Sequence, residues 1–161
     1  MNTDESLHQP AAFDGPNFAA LQCGSTDIWT EYRSAMPRTG MVAQGKLWVK
    51  ELLGLTGMEF SLGVLSEGAE IPYVHAHQQN EELYLVLSGR GEFSVDETLI
   101  PLREGTLIRV LPEGRRTLRN TGAGGLAYVV VQAKAGSLEQ WTDHDGLRPE
   151  NQTAAWELKQ A

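Results

Sequence analysis

From Gly57 onward apolar and polar residues alternate: Met58, Phe60, Leu62 and Val64 fall on one face of an extended chain, Glu59, Ser61 and Gly63 on the other. Side chains two apart share a face of a strand, so the pattern predicts a half-buried strand. Similar runs follow as PYVHAH, ELYLVLSG, GEFSVD, TLIPL, TLIRVL, RTLRN and LAYVVVQAK, separated by SEGAE, HQQN, SGRG, DE, REG, PEG and NTGAGG. Many short strands with Gly and Pro turns at close spacing specify an all-β sandwich or barrel. Upstream, Pro10, Pro16, Pro37, Gly15, Gly24 and Gly40 punctuate the chain too often for long elements. Residues 1–44 therefore read as an N-terminal arm, 45–136 as the barrel and 137–161 as a tail. The run KLWVKELL, Lys46 to Leu53, fits a strand or a short helix equally, and in the tail GSLEQW and PENQTAAWELKQ each carry a turn or two of helical signal.

Composition sets the class. With 161 residues, 41% hydrophobic and 21% charged, the chain is one domain's worth, able to bury roughly 70% of its unfolded surface in a single core. No apolar run approaches the roughly 18 residues of a membrane span. The opening MNTDESLHQP lacks the basic and apolar regions of a leader, which predicts a cytoplasmic protein. A net charge of -8 argues against a nucleic-acid partner, because such binding neutralises phosphates with Lys and Arg. Cys23 is the single cysteine, with no CxxC and no basic neighbour, and reads as an inert thiol. The stretch TGAGGL lacks the Gly-Lys-Ser/Thr ending of a phosphate loop and reads as a turn between strands.

The chemistry concentrates in PYVHAHQQNEELYLVLSG, Pro72 to Gly89. On a strand His75 and His77 point the same way, Cα atoms roughly 6.6 Å apart, close enough for both imidazoles to reach one ion. After the turn, Glu82, Tyr84 and Val86 share one face of the returning strand and Glu81, Leu83 and Leu85 the other. Register decides which Glu turns inward. Two histidines and one carboxylate on a hairpin face form a facial triad that suits Fe(II), Mn(II) or Ni(II) and leaves positions open for water or substrate.

Gly68, His75, His77, Glu82 and Gly89 resemble the first motif of the cupin superfamily, in which a Gly precedes His-x-His, a Glu follows, and a Gly closes the motif after six intervening residues. That last interval selects Glu82 over Glu81. The stretch GTLIRVLPEGRRTLRN is similar to the second cupin motif through Gly105, Pro112, Gly114 and Asn120. The resemblance implies a double-stranded β-helix, or jelly roll, holding one divalent metal per chain: Mn, Fe or Ni ahead of Zn or Co. The chain's intervals from Gly68 to His75 and from Gly105 to Pro112 are each six residues where the family has five, and its main departure is Arg116, which stands where the second motif has its histidine ligand. Arginine keeps its proton and cannot bind a metal. Gln79, in the turn after His77, is the nearest substitute ligand through its amide oxygen.

Strand parity puts Arg116 on the face of Asn120, inside the barrel. A buried guanidinium needs an anion: either a substrate carboxylate or enediolate beside the metal, or Glu81 or Glu82 in a pocket without metal. Tyr84 is placed to donate a hydrogen bond to a bound oxygen, and Glu81 is a reserve general base. The leading expectation is a metal-dependent enzyme of the oxidoreductase, lyase or isomerase kind acting on a small oxygen-rich substrate, with His75, His77, Glu82 and Gln79 as ligands. The alternative is a non-catalytic barrel that binds a small molecule without metal. The arm and an open sheet edge predict a homodimer.

Overall fold

The computed structural model describes residues 10–36, 39–141, 144–150 and 152–158. The arm supplies β1 (Ala11–Gly15), β2 (Phe18–Gln22), a 3-10 turn (Ile28–Glu31), β3 (Arg33–Ala35) and β4 (Val42–Gln44). Then follow β5 (Lys46–Trp48), α1 (Lys50–Leu53), β6 (Glu59–Leu65), β7 (Asn80–Ser88), β8 (Arg90–Val95), β9 (Thr98–Arg103), β10 (Leu107–Val110), β11 (Arg116–Asn120), β12 (Leu126–Lys134) and α2 (Ala155–Leu158). Five strands form an antiparallel sheet in the order β10-β7-β12-β6-β5, and three form a second in the order β11-β8-β9. Phe93, Leu102 and Leu118 of the small sheet meet Tyr84, Val86, Ile108, Val110, Leu126, Tyr128 and Val130 of the large one in a single core. This is the all-β jelly roll expected from the sequence.

Three local expectations change. The alternation in β6 suggests one buried face, yet residues 61 to 64 are all buried. Leu62 and Val64 pack outside the barrel against Leu47, Val49 and Ala127 and, from the arm, Trp29 and Tyr32. The polar face of β6 therefore lines the interior. Trp29 and Tyr32 are both fastened at Cys23, whose carbonyl accepts Trp29 Nε1 at 3.0 Å and Tyr32 Oη at 3.1 Å.

The run KLWVKELL is both of its alternatives in succession, β5 and then α1. Glu59 makes the change of direction by accepting the backbone N–H groups of Val49 and Lys50 at 3.1 and 2.9 Å, which satisfies donors that a helix start leaves open. The third change concerns PYVHAH, which bends at Pro72 and Tyr73 and forms no strand. Its contact with β11 is an isolated bridge, His75 with Arg116, because Pro72 has no N–H to continue a ladder. The tail contributes one helical turn, α2, and GSLEQW is not helical; parts of PENQTAAWELKQ lie outside the described residues.

Motif residues hold the turns around the site. Gly89 has φ 89 and a Cβ there would run into the backbone of Gly125 and Leu126. Asn120 donates to the carbonyls of Leu65 and Gly124 at 2.9 and 2.7 Å and accepts Gly122 N–H at 2.9 Å, so its place in the motif is explained by the turn it closes. Among the described residues no helix is long and apolar enough to cross a membrane.

Candidate functional site

The backbone brings three candidate ligands together from two directions. His75 exchanges hydrogen bonds with Arg116, N to O at 3.1 and 2.9 Å, and His77 N–H donates to Pro112 O at 2.8 Å, which lays the histidine segment along the second motif. Glu82 enters from the first turn of β7. One ligand atom from each of His75, His77 and Glu82 lies within 4.8 Å of the others. His77 Nε2 and Glu82 Oε1 are 3.0 Å apart, the separation of two donors that each sit about 2.1 Å from one ion at a right angle. His75 Nε2 is 4.0 Å from Glu82 Oε2. His75 Nδ1 is buried without a hydrogen-bond partner, and burial, with Arg116 next, lowers the pKa of this imidazole and favours its neutral, ligating form. The donor set fits a divalent ion.

Glu82 is the hub. Its Oε2 accepts Arg116 Nε at 2.9 Å, Arg116 Nη2 at 2.7 Å and Tyr84 Oη at 2.6 Å. Burial pushes the carboxyl pKa up, but the hydrogen bonds from Tyr84, Arg116 and His77 outweigh it and hold the pKa at about 2. The remaining Arg116 nitrogen, Nη1, donates to Gly114 O at 2.9 Å and to Pro112 O at 3.4 Å, which explains why the Pro-x-Gly turn accompanies this arginine. Arg116 is 0% exposed. Of the partners expected for it, the anion that Arg116 meets in the structure is Glu82. Tyr84 is likewise turned to Glu82, and burial followed by that carboxylate raises its pKa, so the hydroxyl stays a proton donor.

Gln79 is exposed in the turn, where its backbone carbonyl accepts Ala135 N–H at 3.0 Å. A different glutamine stands at the site. Gln132 Nε2 donates to Glu82 Oε1 at 3.0 Å and lies 2.8 Å from His77 Nε2, while its carbonyl oxygen accepts Asn80 Nδ2 at 3.1 Å. Sequence reasoning missed Gln132, although its parity with Tyr128 and Val130 along LAYVVVQAK is a signal that could have found it. Glu81 lies on the other face of β7, paired with Ala133, away from the triad. Lys46 also faces the interior and was missed: its Nζ donates to Ser61 Oγ at 2.9 Å and lies 4.6 Å from the Trp48 ring centroid and 5.4 Å from that of Tyr128.

A cavity of about 370 Å³ elsewhere, on the outer face of the small sheet beneath Tyr73 and Val74, contains none of these residues. A buried carboxylate shared by imidazoles and a guanidinium, at one end of a jelly roll, is the setting in which the comparisons belong. The cupin domain model matches residues 61–132. A cupin protein from Bacteroides fragilis is 38% identical, with a TM-score of 0.63 over 65% of this chain and 88% of that one. A Thermotoga maritima protein described as a predicted oxalate decarboxylase is 21% identical, with a TM-score of 0.52 over 63% and 90% of the two chains. A sugar phosphate isomerase from Silicibacter pomeroyi is 20% identical, with a TM-score of 0.51 over 55% and 58%. These last two share the fold. No curated protein matches significantly. Motifs, sheet order and the Bacteroides relative agree, and the chain belongs to the cupin superfamily.

Proposed function

We propose that the protein binds one divalent metal ion through His75, His77 and Glu82 and acts on a small oxygen-rich organic substrate. The observation that carries this reading is the convergence of the three ligand atoms within 4.8 Å. When bound, an ion supplies Lewis acidity to a carbonyl or enolate oxygen, or, if iron, a site for dioxygen. The protein's own groups do the rest. Arg116 and Tyr84 act as positioning residues that hold Glu82 ionised and aim its Oε1 toward His77, the outer support on which ligand geometry depends. Gln132 completes that support, with its amide N–H donating to Glu82 Oε1 and its carbonyl oxygen held by Asn80. The solved cupins named above include one described as a decarboxylase and one as a sugar phosphate isomerase, and both chemistries, like oxygenation, suit an enolate-stabilising site.

The Arg116–Glu82 pair favours a second reading, a barrel that binds a small molecule without metal. A guanidinium on Glu82 weakens the attraction of that carboxylate for a cation. Elemental analysis of untagged protein beside His77→Ala and Glu82→Ala decides between them. About one ion per chain, lost in both variants, supports the metal reading; no ion after incubation with Mn(II), Fe(II) or Ni(II) overturns it. We read the assembly as a homodimer, for which Leu83 and Leu107, 42% and 61% exposed on β7 and β10, offer apolar surface; a monomeric mass in sedimentation equilibrium would count against this.

A further inference from the structure

β5 is short, but its register sets Lys46 beside Gly63 and Trp48 beside Ser61, on the face of β6 that lines the barrel. Gly63 also pairs with Tyr128, and a Cβ on Gly63 would collide with the Tyr128 ring. The absent side chain makes room for an aromatic wall, and Lys46 Nζ lies between this wall and the Trp48 ring. Of the three N–H donors on the ammonium, Ser61 Oγ takes one.

An ammonium drawn away from water calls for an anion. Two carboxylates exert their fields on it, and both are engaged elsewhere. Glu59 accepts two backbone N–H groups of the β5–α1 junction, and Glu82 is shared by Arg116, Tyr84, His77 and Gln132. Among the described residues no carboxylate comes within the 4.0 Å of an ion pair to Lys46 Nζ. Burial accordingly outweighs the two carboxylates and lowers the pKa to about 8 from 10.5. Glu82 and Arg116 cancel each other's charge, so Lys46 is the cation that an incoming ligand meets.

We propose that Lys46 anchors the carboxylate of a small organic acid, whose carbon frame lies beside the Trp48 and Tyr128 rings, with the ligand's remaining oxygen atoms turned toward His75, His77 and Glu82. A carboxylate fits better than a phosphate, because the subsite offers one ammonium and flat aromatic walls, whereas phosphates gather several donors. This deepens the proposed function by naming the substrate class, and it rests on that reading for where the ligand's other end lies. The anion subsite itself involves no metal.

The test is calorimetric titration of the full chain with acetate, malonate, pyruvate and benzoate, each beside its neutral amide, after EDTA treatment and again with Mn(II). At least one acid is expected to bind ten-fold or more tightly than its amide, and Lys46→Met to remove that preference in both preparations. Lys46→Gln, which keeps a hydrogen-bonding end and loses the charge, serves as the second variant, with urea unfolding curves to show that each variant folds. Acid binding unchanged in Lys46→Met and Lys46→Gln overturns the proposal, as does the absence of binding by all four acids at 10 mM, about the weakest affinity worth the name. If metal fails to bind while the Lys46 dependence survives, the metal reading falls and the anion subsite stands. If metal binds and the dependence is missing, the reverse holds.

Discussion

Replacing Arg116 with methionine removes one charge from a buried pair while keeping much of the side chain's length. Glu82 would then be left 6% exposed, with Tyr84, His77 and Gln132 as its partners. A carboxyl held at about 2 rather than 4.5 contributes about 3 kcal/mol to folding at neutral pH, and Arg116 is one of three groups that hold it there. The variant also strips a donor from the carbonyls of Gly114 and Pro112. Breaking a buried pair from one side costs about 3–5 kcal/mol, a large part of the roughly 5–15 kcal/mol that a domain has. Glu82→Leu leaves the guanidinium unpaired and should cost a similar amount. The double variant removes both charges at nearly constant volume, and its loss should fall well below the sum, leaving a coupling of about 3 kcal/mol.

Urea unfolding at pH 7 in EDTA, followed by tryptophan fluorescence, measures all four corners of this cycle, with equal m-values as the check that one transition is being compared. A pH series adds a signed test. Glu82 has a depressed pKa in the folded state, so its contribution is complete above about 4.5 and fades as pH falls toward about 2. The gap between the natural protein and Arg116→Met should narrow over that interval. Single losses that add to the double within about 0.5 kcal/mol would refute the coupled pair.

Lys46→Met should raise stability: a lysine whose pKa falls to about 8 in the fold binds fewer protons than the unfolded chain between 8 and 10.5, so below 8 its charge opposes folding, by up to about 3 kcal/mol. A lower urea midpoint would show that the lysine is structural. Gly63→Ala, which drives a methyl into the Tyr128 ring, should cost about 1–3 kcal/mol in the same assay, and an unchanged midpoint would mean that the ring is free to move. Gln132→Leu should weaken Mn(II) binding about 10–100-fold by equilibrium dialysis, and affinity equal to that of the natural protein would remove Gln132 from the site.

Much of the barrel was legible because period-two alternation and Gly or Pro turns are local signals. GEFSVD, TLIPL, TLIRVL, RTLRN and LAYVVVQAK each became a strand with the inward face that parity assigns. The spacing of two motifs led to His75, His77 and Glu82, and parity placed Arg116 inside. What failed to show was tertiary. Nothing in the alternation of β6 reveals that the arm covers its apolar face, so the polar face was free to become the interior. Lys46 opens a three-residue strand too short to have a period, and only its register with Gly63 turns it inward. Gln79 is near His77 in sequence; Gln132 is near it in space, because β12 lies beside β7.

Charge links these findings. The chain carries a net -8, yet among the described residues two cations, Lys46 and Arg116, face the barrel beside Glu82, while Glu59 on the same face of β6 is engaged by the backbone N–H groups of Val49 and Lys50. Arg116 and Glu82 neutralise each other, and the ammonium of Lys46 is answered only by carboxylates outside ion-pair reach. A divalent ion would add two further charges. Its stable binding then calls for an anion in the same space, and the anion gains from the ion in equal measure, since coupling between two ligands is reciprocal. The exchange of a ligating histidine for Arg116 thus does more than remove a ligand. On the proposed reading it moves the work of charge balance from the protein to the substrate, so that a neutral sugar or an alcohol would be a poor fit and a small carboxylate, seated on Lys46, the expected ligand.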